Sequence, residues 1–298
     1  MVDKFPIPPG KAVPMIEPHR EAMGDRISGF PWWLPAIIAI AIWTGFTVFT
    51  QSNYREAFNF IKIGLSVTIT TTLSAYALAL VIGLIAGLGR LSHNVFIKNL
   101  ATLYVEIIRG IPMLVLIFYI ALVGVPLVVD NIHGLGLWLN QNGYEVVGGI
   151  LVKFENQAVS MNLRAVIALS VTYGAFLAEI FRAGIQSIGT GQMEAARSLG
   201  MSFGQAMRYI ILPQAIRNVL PALGNDFVAM VKDSSLVSVL AVRDITQVAR
   251  LYAGRSFRFR EAYTTLAVMY LTITVVLSIL VQRLEKRMRR DVRDHGEG

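Results

Sequence analysis

Residues 189–217 read GTGQMEAARSLGMSFGQAMRYIILPQAIR, a polar island between long apolar stretches. The pattern predicts two short helices set at an angle. Gly191 is placed as an N-cap with Glu194 in the first turn, where a carboxylate favours the positive end of the helix dipole. Met193 to Leu199 supplies good helix formers, and Gly200 follows as a left-handed terminator. Ser202 opens a second helix, and Gln205 three residues on completes a capping-box pattern. Pro213 should break that helix and turn the chain towards the next apolar segment. The island is therefore expected to be a compact knuckle of helix, turn, helix and turn.

The surroundings of the knuckle set the fold class. Hydrophobic residues make up 54% of the chain and charged residues only 15%, against about 25% charged in an ordinary globular domain; the mean hydropathy is +0.56. Apolar runs place six spans at roughly 32–50, 61–89, 100–127, 163–187, 220–243 and 262–284, each near the ~20 residues that cross a bilayer. The expected fold is an all-α integral membrane protein with about six transmembrane helices. A polar tail, 1–31, precedes the first span without a small-residue cleavage site, so that span reads as retained. Asp226, Lys232 and Asp233 interrupt the fifth.

The net charge of +8 follows topology rather than nucleic-acid binding. With the N-terminus inside, the cytoplasmic segments are the tail (Lys4, Lys11, Arg20, Arg26), the Arg90–Lys98 turn, the knuckle and the basic C-terminus 286–298. One segment opposes this assignment: the loop 243–261 would lie outside yet carries Arg243, Arg250, Arg255, Arg258 and Arg260. The absence of cysteine excludes disulfides, thiolate chemistry and cysteine metal sites. His19, His93, His133 and His295 are scattered, and no phosphate-cradling GxxxxGK[ST] loop exists. No catalytic residue, metal site or cofactor site is expected in this chain.

The spacing of Glu194-Ala195-Ala196, Gly200 and the I-x-L-P run Ile210–Pro213 resembles the EAA loop of permease subunits of ATP-binding-cassette (ABC) importers. Three further strings are similar to the polar amino-acid subfamily named for histidine permeases: YVEIIRGIPMLVLIFY at 104–119, YGAFLAEIFRAGIQSI at 173–188 and LPALGNDFVAMVKDSSLVSVL at 220–240. The likeness covers about residues 60–285. It implies a five-helix permease domain at 60–285, with the helix 32–50 as an addition. It implies that the loop 189–213 couples to a cytoplasmic ATP-binding subunit dimer through Glu194, Ala195, Ala196, Gly200, Ile210, Leu212 and Pro213, with ATP and Mg held on that partner. A second permease subunit, identical or similar, and an extracytoplasmic amino-acid-binding protein are implied too, in the cytoplasmic membrane of a prokaryote. The bland alternative for the knuckle is a solvated loop, with Glu194 only a capping charge.

Ionisable residues in spans usually face protein or a water path. Glu106 and Arg109 share one helical face, as do Glu179 and Arg182. Both pairs fall in the cytoplasmic half; they are candidates for a network across an inner gate, but two self-neutralising intrahelical pairs are favoured. Pro112, after Gly110 and Ile111, should kink or break the third span as a gate element or a packing bend. Asn225, Asp226, Lys232, Asp233, Ser234 and Ser235 supply donors and acceptors for a zwitterionic amino acid, or hold the bundle together. Lys232 and Asp233 point about 100° apart and cannot face one spot. The segment 128–162, with Asp130, Asn131, Trp138 and Asn140, is a candidate for interfacial helices, and the basic loop 243–261 for docking an acidic partner.

The function read from these observations is a transport subunit, not an enzyme: an amino-acid importer permease coupled to a separate ATPase. The alternatives are an importer permease for another small solute, and a channel or secondary carrier that needs no ATPase.

Overall fold

The computed structural model describes residues 33–293, and every element among them is helical. The tail 1–31 and its basic residues lie outside the described residues, as do the last five of the C-terminus. The chain divides into two units, residues 1–43 and 44–298. Helix α1 (Trp33–Thr50) crosses that division and is apolar over Pro35–Val48; the bundle belongs to the second unit.

In the bundle, α2 (Ser52–Ile61) passes through one 3₁₀ turn into α3 (Leu65–Arg90). After a turn capped by Asn94, whose side chain accepts from the Phe96 and Ile97 amides, α4 (Val95–Gly110) begins. Ile111 is extended and Pro112 caps α5 (Met113–Tyr119). A π-turn at Ile120–Gly124 leads to α6 (Val125–Gln141), and α7 (Glu145–Val152) folds back on it. Then come α8 (Met161–Gln186), the knuckle helices α9 (Thr190–Ser198) and α10 (Phe203–Ala206), and α11 (Leu212–Asp233). A 3₁₀ segment, Ser234–Leu240, joins α11 to α12 (Ile245–Ser256), and α13 (Phe259–Arg293) ends the described chain.

Among the described residues, four stretches are long and apolar enough to cross a membrane: Ser52–Arg90, Met113–Gln141, Met161–Gln186 and Phe259–Lys286. Two of the expected spans therefore need correction. The span 100–127 is not one helix, because Pro112 has no amide hydrogen and biases Ile111 to an extended conformation. The span 220–243 is not a simple helix either. Its α-helix begins earlier, in the polar island, and tightens to 3₁₀ after Asp233 before Ala241 stops it at φ 57°.

Helix α8 is the centre, with 67% of its apolar window buried against 17–33% for the other three. It runs parallel to α3: Asn162 accepts from Thr71 near one end, and Glu179 pairs with Arg90 near the other. Small residues permit the approach. A Cβ on Gly83 would lie 2.7 Å from the Leu177 Cβ and 3.1 Å from the Gly174 carbonyl. A stripe of this kind is how helices pack where lipid offers no hydrophobic drive between them.

One end of the bundle collects the Arg90 turn, the knuckle and the Arg217–Glu285 region of α11 and α13. These segments are the ones the Lys and Arg pattern assigns to the cytoplasm. The opposite end holds α2, α12 and the start of α13 around Ile61, Ile245, Tyr252 and Leu266. The segment 243–261 is thus a packed helix rather than a loop. Arg258 pairs with Glu56 at 2.7 Å, and Arg260 lies 3.8 Å from Glu261.

Candidate coupling and translocation site

The knuckle forms much as its residues dictate, with two shifts. The N-cap is Gly189 rather than Gly191, so Thr190 already belongs to α9 and Glu194 lies beyond its first turn. Gly200 takes φ +83°, the left-handed conformation that only glycine adopts at little cost. Ser202 and Gln205 close a reciprocal capping box, at 3.3 Å to the Gln205 amide and 2.8 Å from the Ser202 amide.

Pro213 does not end the second helix. The π-turn Met207–Ile211 immediately precedes α11, and Pro213 sits in the first turn of α11, where the i−5 ladder gives way to the i−4 ladder and the wider turn accommodates its ring. Helical structure therefore continues from Phe203 to Asp233, about 45 Å at 1.5 Å per residue. Ala196, Ala206 and Ile211 are buried, pinning the knuckle from within. Glu194 and Ala195 are exposed, and so are Leu199, Phe203, Tyr209 and Leu212. Such a mixed carboxylate and apolar surface on a polar loop is suited to contact with another protein. Ile210 is half-buried, its carbonyl accepting from the Gln214 side chain at 3.0 Å.

The charged residues near this end are wired differently from two local pairs. Glu179 and Arg182 do bond within α8, and Arg182 also reaches Gln186. Glu106, however, pairs with Arg90 at 3.6 Å, not with Arg109. Arg90 also bonds Glu179 at 2.7 Å, so one guanidinium at the end of α3 ties α4 to α8. Arg109 lies 5.8 Å from the centre of the Phe176 ring, in cation–π geometry. The i, i+3 rule showed that Glu106 and Arg109 can meet; tertiary packing gave each a better-buried partner. Pro112 opens the helix break one turn beyond this cluster.

The polar residues of α11 separate into two groups. Asp233 accepts a 2.6 Å hydrogen bond from the Tyr173 hydroxyl, while Lys232 is exposed, as the 100° step between neighbours requires. Asp226, seven residues before Asp233 and half-buried, lies on the same helical face and within electrostatic reach of it and of Tyr173. Tyr76 completes this face: its hydroxyl donates to the Leu223 carbonyl at 2.6 Å and its ring meets Phe227 at 5.0 Å. Ser234 is fully buried and bonds back to the Val231 carbonyl, a packing role. Asn225 is exposed and Ser235 half-buried.

Sequence reading missed Arg90 as a hub, the tyrosines Tyr76 and Tyr173, and Arg164. The last is a buried cation satisfied by the carbonyls of Val159, Ala121 and Asn156 and by the Asn156 side chain. Ala121 lies in the π-turn, where the irregular ladder leaves a carbonyl to share. Tyrosines in apolar runs carry no local signal of their partners. An open cleft of about 620 Å³ lies between α8, α11 and α13, lined by Ile180, Gly184, Arg217, Asn218 and Glu285.

Comparison with known proteins places this geometry in context. Residues 79–290 match the family described as the binding-protein-dependent transport system inner membrane component. The probable glutamine ABC transporter permease protein GlnM of Bacillus subtilis (strain 168) is 36% identical over 223 residues, 75% of this chain and 90% of the relative. The glutamine transport system permease protein GlnP of Escherichia coli (strain K12) is 32% identical over 226 residues, 76% of this chain and 91% of the relative. Among solved structures, the crystal structure of an amino acid ABC transporter with histidines matches with a TM-score of 0.62 at 36% identity, covering 77% of this chain and 94% of that one. An inward-facing MetNI methionine ABC transporter shares the fold at 19% identity and a TM-score of 0.55, covering 77% and 96%. In this family the permease works with a partner ATPase and a binding protein, and ATP hydrolysis belongs to the ATPase. The chain belongs to the family of binding-protein-dependent transport inner-membrane components, the membrane-spanning permease subunits of ABC importers.

Proposed function

We propose that this chain forms the translocation path of an amino-acid importer in the cytoplasmic membrane of a prokaryote, with a second permease subunit across the path. A cytoplasmic ATPase pair docks on the 189–213 knuckles and holds the ATP and Mg. An extracytoplasmic amino-acid-binding protein delivers the cargo. The amino-acid cargo is supported by the names of the relatives at 32–36% identity.

The observation that carries the coupling role is the helical continuity from Phe203, exposed on the knuckle, to Asp233 inside the bundle. A push on Glu194, Leu199 or Phe203 is passed along this continuous helical segment, which carries a π-turn at Met207–Ile211 and an internal proline at Pro221, to the Asp226–Asp233 face. The open cleft beside Arg217 and Glu285 leaves space for that segment to tilt. Alternating access requires such a two-state element. Asp226 and Asp233, with the hydroxyl of Tyr173, offer acceptors to the ammonium group of a cargo. Asn225, Lys232 and Ser235 lie towards the outside of this face, and Ser234 only packs. Glu106, Glu179, Arg90, Arg109 and Arg182, with the break at Pro112, form the candidate inner gate.

The test is ATPase activity of the reconstituted complex with its binding protein. Stimulation by one or more amino acids, and not by quaternary amines or peptides, is the expected result. Uptake without any ATPase would overturn the reading in favour of a channel or carrier.

A further inference from the structure

The α6–α7 hairpin stands apart from everything assigned above. Helix α6 keeps contact with the bundle only near its start, where Val125 and Val129 pack on Val159. Beyond that it extends about 20 Å at 1.5 Å per residue, and α7 folds back along it. The two helices close tightly on each other. A Cβ on Gly136 would lie 2.8 Å from the Val152 amide nitrogen, and one on Gly148 would lie 2.7 Å from the Gly136 carbonyl. His133 meets the Val152 carbonyl at 2.8 Å. The hairpin has thus buried what it can bury internally.

What it leaves outside is mainly apolar, apart from Asp130 and Asn131 near the base and Gln141, Asn142 and Glu145 at the tip. Val146 is 80% exposed, Ile150 66% and Trp138 57%, and Leu135, Leu137 and Val147 are also exposed. No Asp, Glu, Lys or Arg occurs in 131–144 or in 146–152. A protein partner covers one face of a hairpin and leaves the other in water. A helix pair apolar over most of its surface is the kind that lipid covers. The surface is also continuous with the apolar stretch Met113–Gln141, which at about 43 Å is longer than the ~30 Å hydrocarbon core. At the hairpin tip, the uncharged polar residues Asn140–Gly143 lie between Trp138 and Tyr144, the aromatic pattern of a bilayer interface.

We infer that the α6–α7 hairpin leans into the lipid leaflet opposite the knuckle, with Val146 and Ile150 among acyl chains and Trp138 and Tyr144 at headgroup level. This makes the segment an interfacial hairpin that widens the footprint of the permease on that leaflet. Most of its backbone groups are paired within its two helices, and the uncapped first amides of α7 lie at the tip beside Tyr144, on the headgroup side.

Because the chain lacks cysteine, single probes are clean. Val146→Cys and Ile150→Cys permease in lipid nanodiscs should react with a membrane-impermeant maleimide about tenfold more slowly than the exposed control Arg250→Cys. In a Trp32→Phe, Trp33→Phe, Trp43→Phe background, Trp138 emission should fall about twofold in lipids brominated near the headgroup end of the acyl chain, and respond little to aqueous iodide. Labelling as fast as the control, or strong iodide quenching, would show a water-exposed hairpin and overturn the inference. Slow labelling without bromolipid quenching would show a protein cover, and would overturn it equally.

Discussion

The Tyr173 hydroxyl bonds Asp233 at 2.6 Å, tying the most buried helix of the bundle to the end of the helical segment that starts in the knuckle. This bond sits where motion imposed at the cytoplasmic end would arrive. Tyr173→Phe removes the donor and leaves a half-buried carboxylate short of a partner, a loss of about 1–3 kcal/mol. Substrate-stimulated ATPase activity in proteoliposomes should fall several-fold while membrane insertion is unchanged. Full stimulation in the variant would remove Asp233 from the proposed path.

Arg90 holds two carboxylates unequally. Its bond to Glu179 joins side chains only 14% and 28% exposed, whereas Glu106 is 64% exposed and 3.6 Å away. Double-mutant cycles on thermal stability should therefore give a coupling below about 1 kcal/mol for Arg90–Glu106. The coupling for Arg90–Glu179 should be distinctly larger. Equal couplings would mean that the cluster is solvated and not a gate element.

Close packing of α3 on α8 rests on the absence of a side chain at Gly83. Gly83→Ala should cost about 1–3 kcal/mol through the clash with Leu177 and the Gly174 carbonyl, and lower the Tm of the detergent-solubilised protein. Gly254→Ala is the matched control, since a Cβ there meets nothing within 4 Å. The same Tm for both variants would contradict the packing described.

In the knuckle, Gly200→Val forces a β-branched residue to φ +83°, at a cost of about 1–2 kcal/mol. The rest of the bundle does not depend on that turn. Coupled ATPase activity should drop while the Tm changes by a few degrees at most. A large loss of Tm with coupling retained would assign Gly200 to the fold rather than to docking.

Local chemistry made the knuckle legible. Gly200, Ser202 and Gln205 act on their immediate neighbours, and the structure has each in its expected place. The break at Pro112 was legible for the same reason. Pro213 misled because its effect depends on a π-turn that no residue pattern announces. The Glu106–Arg109 spacing misled because a third residue, Arg90, approaches from another helix. The segment 243–261 stood out in the sequence as arginines that run against the charge rule, and not as a helix packed on the Ile61–Tyr252 cluster with Arg258 paired to Glu56. Partnerships over long sequence distances, such as Tyr76 with Leu223 or Arg164 with Ala121, leave no trace in a single sequence.

Docking of the ATPase subunit on the 189–213 knuckle should be visible in co-purification from membranes in mild detergent. The wild-type permease should bring with it a P-loop-bearing subunit. The Glu194→Arg variant, folded and inserted to the same level, should lose that companion together with substrate-stimulated ATP hydrolysis. A companion retained in full, with ATPase activity unchanged, would contradict the account.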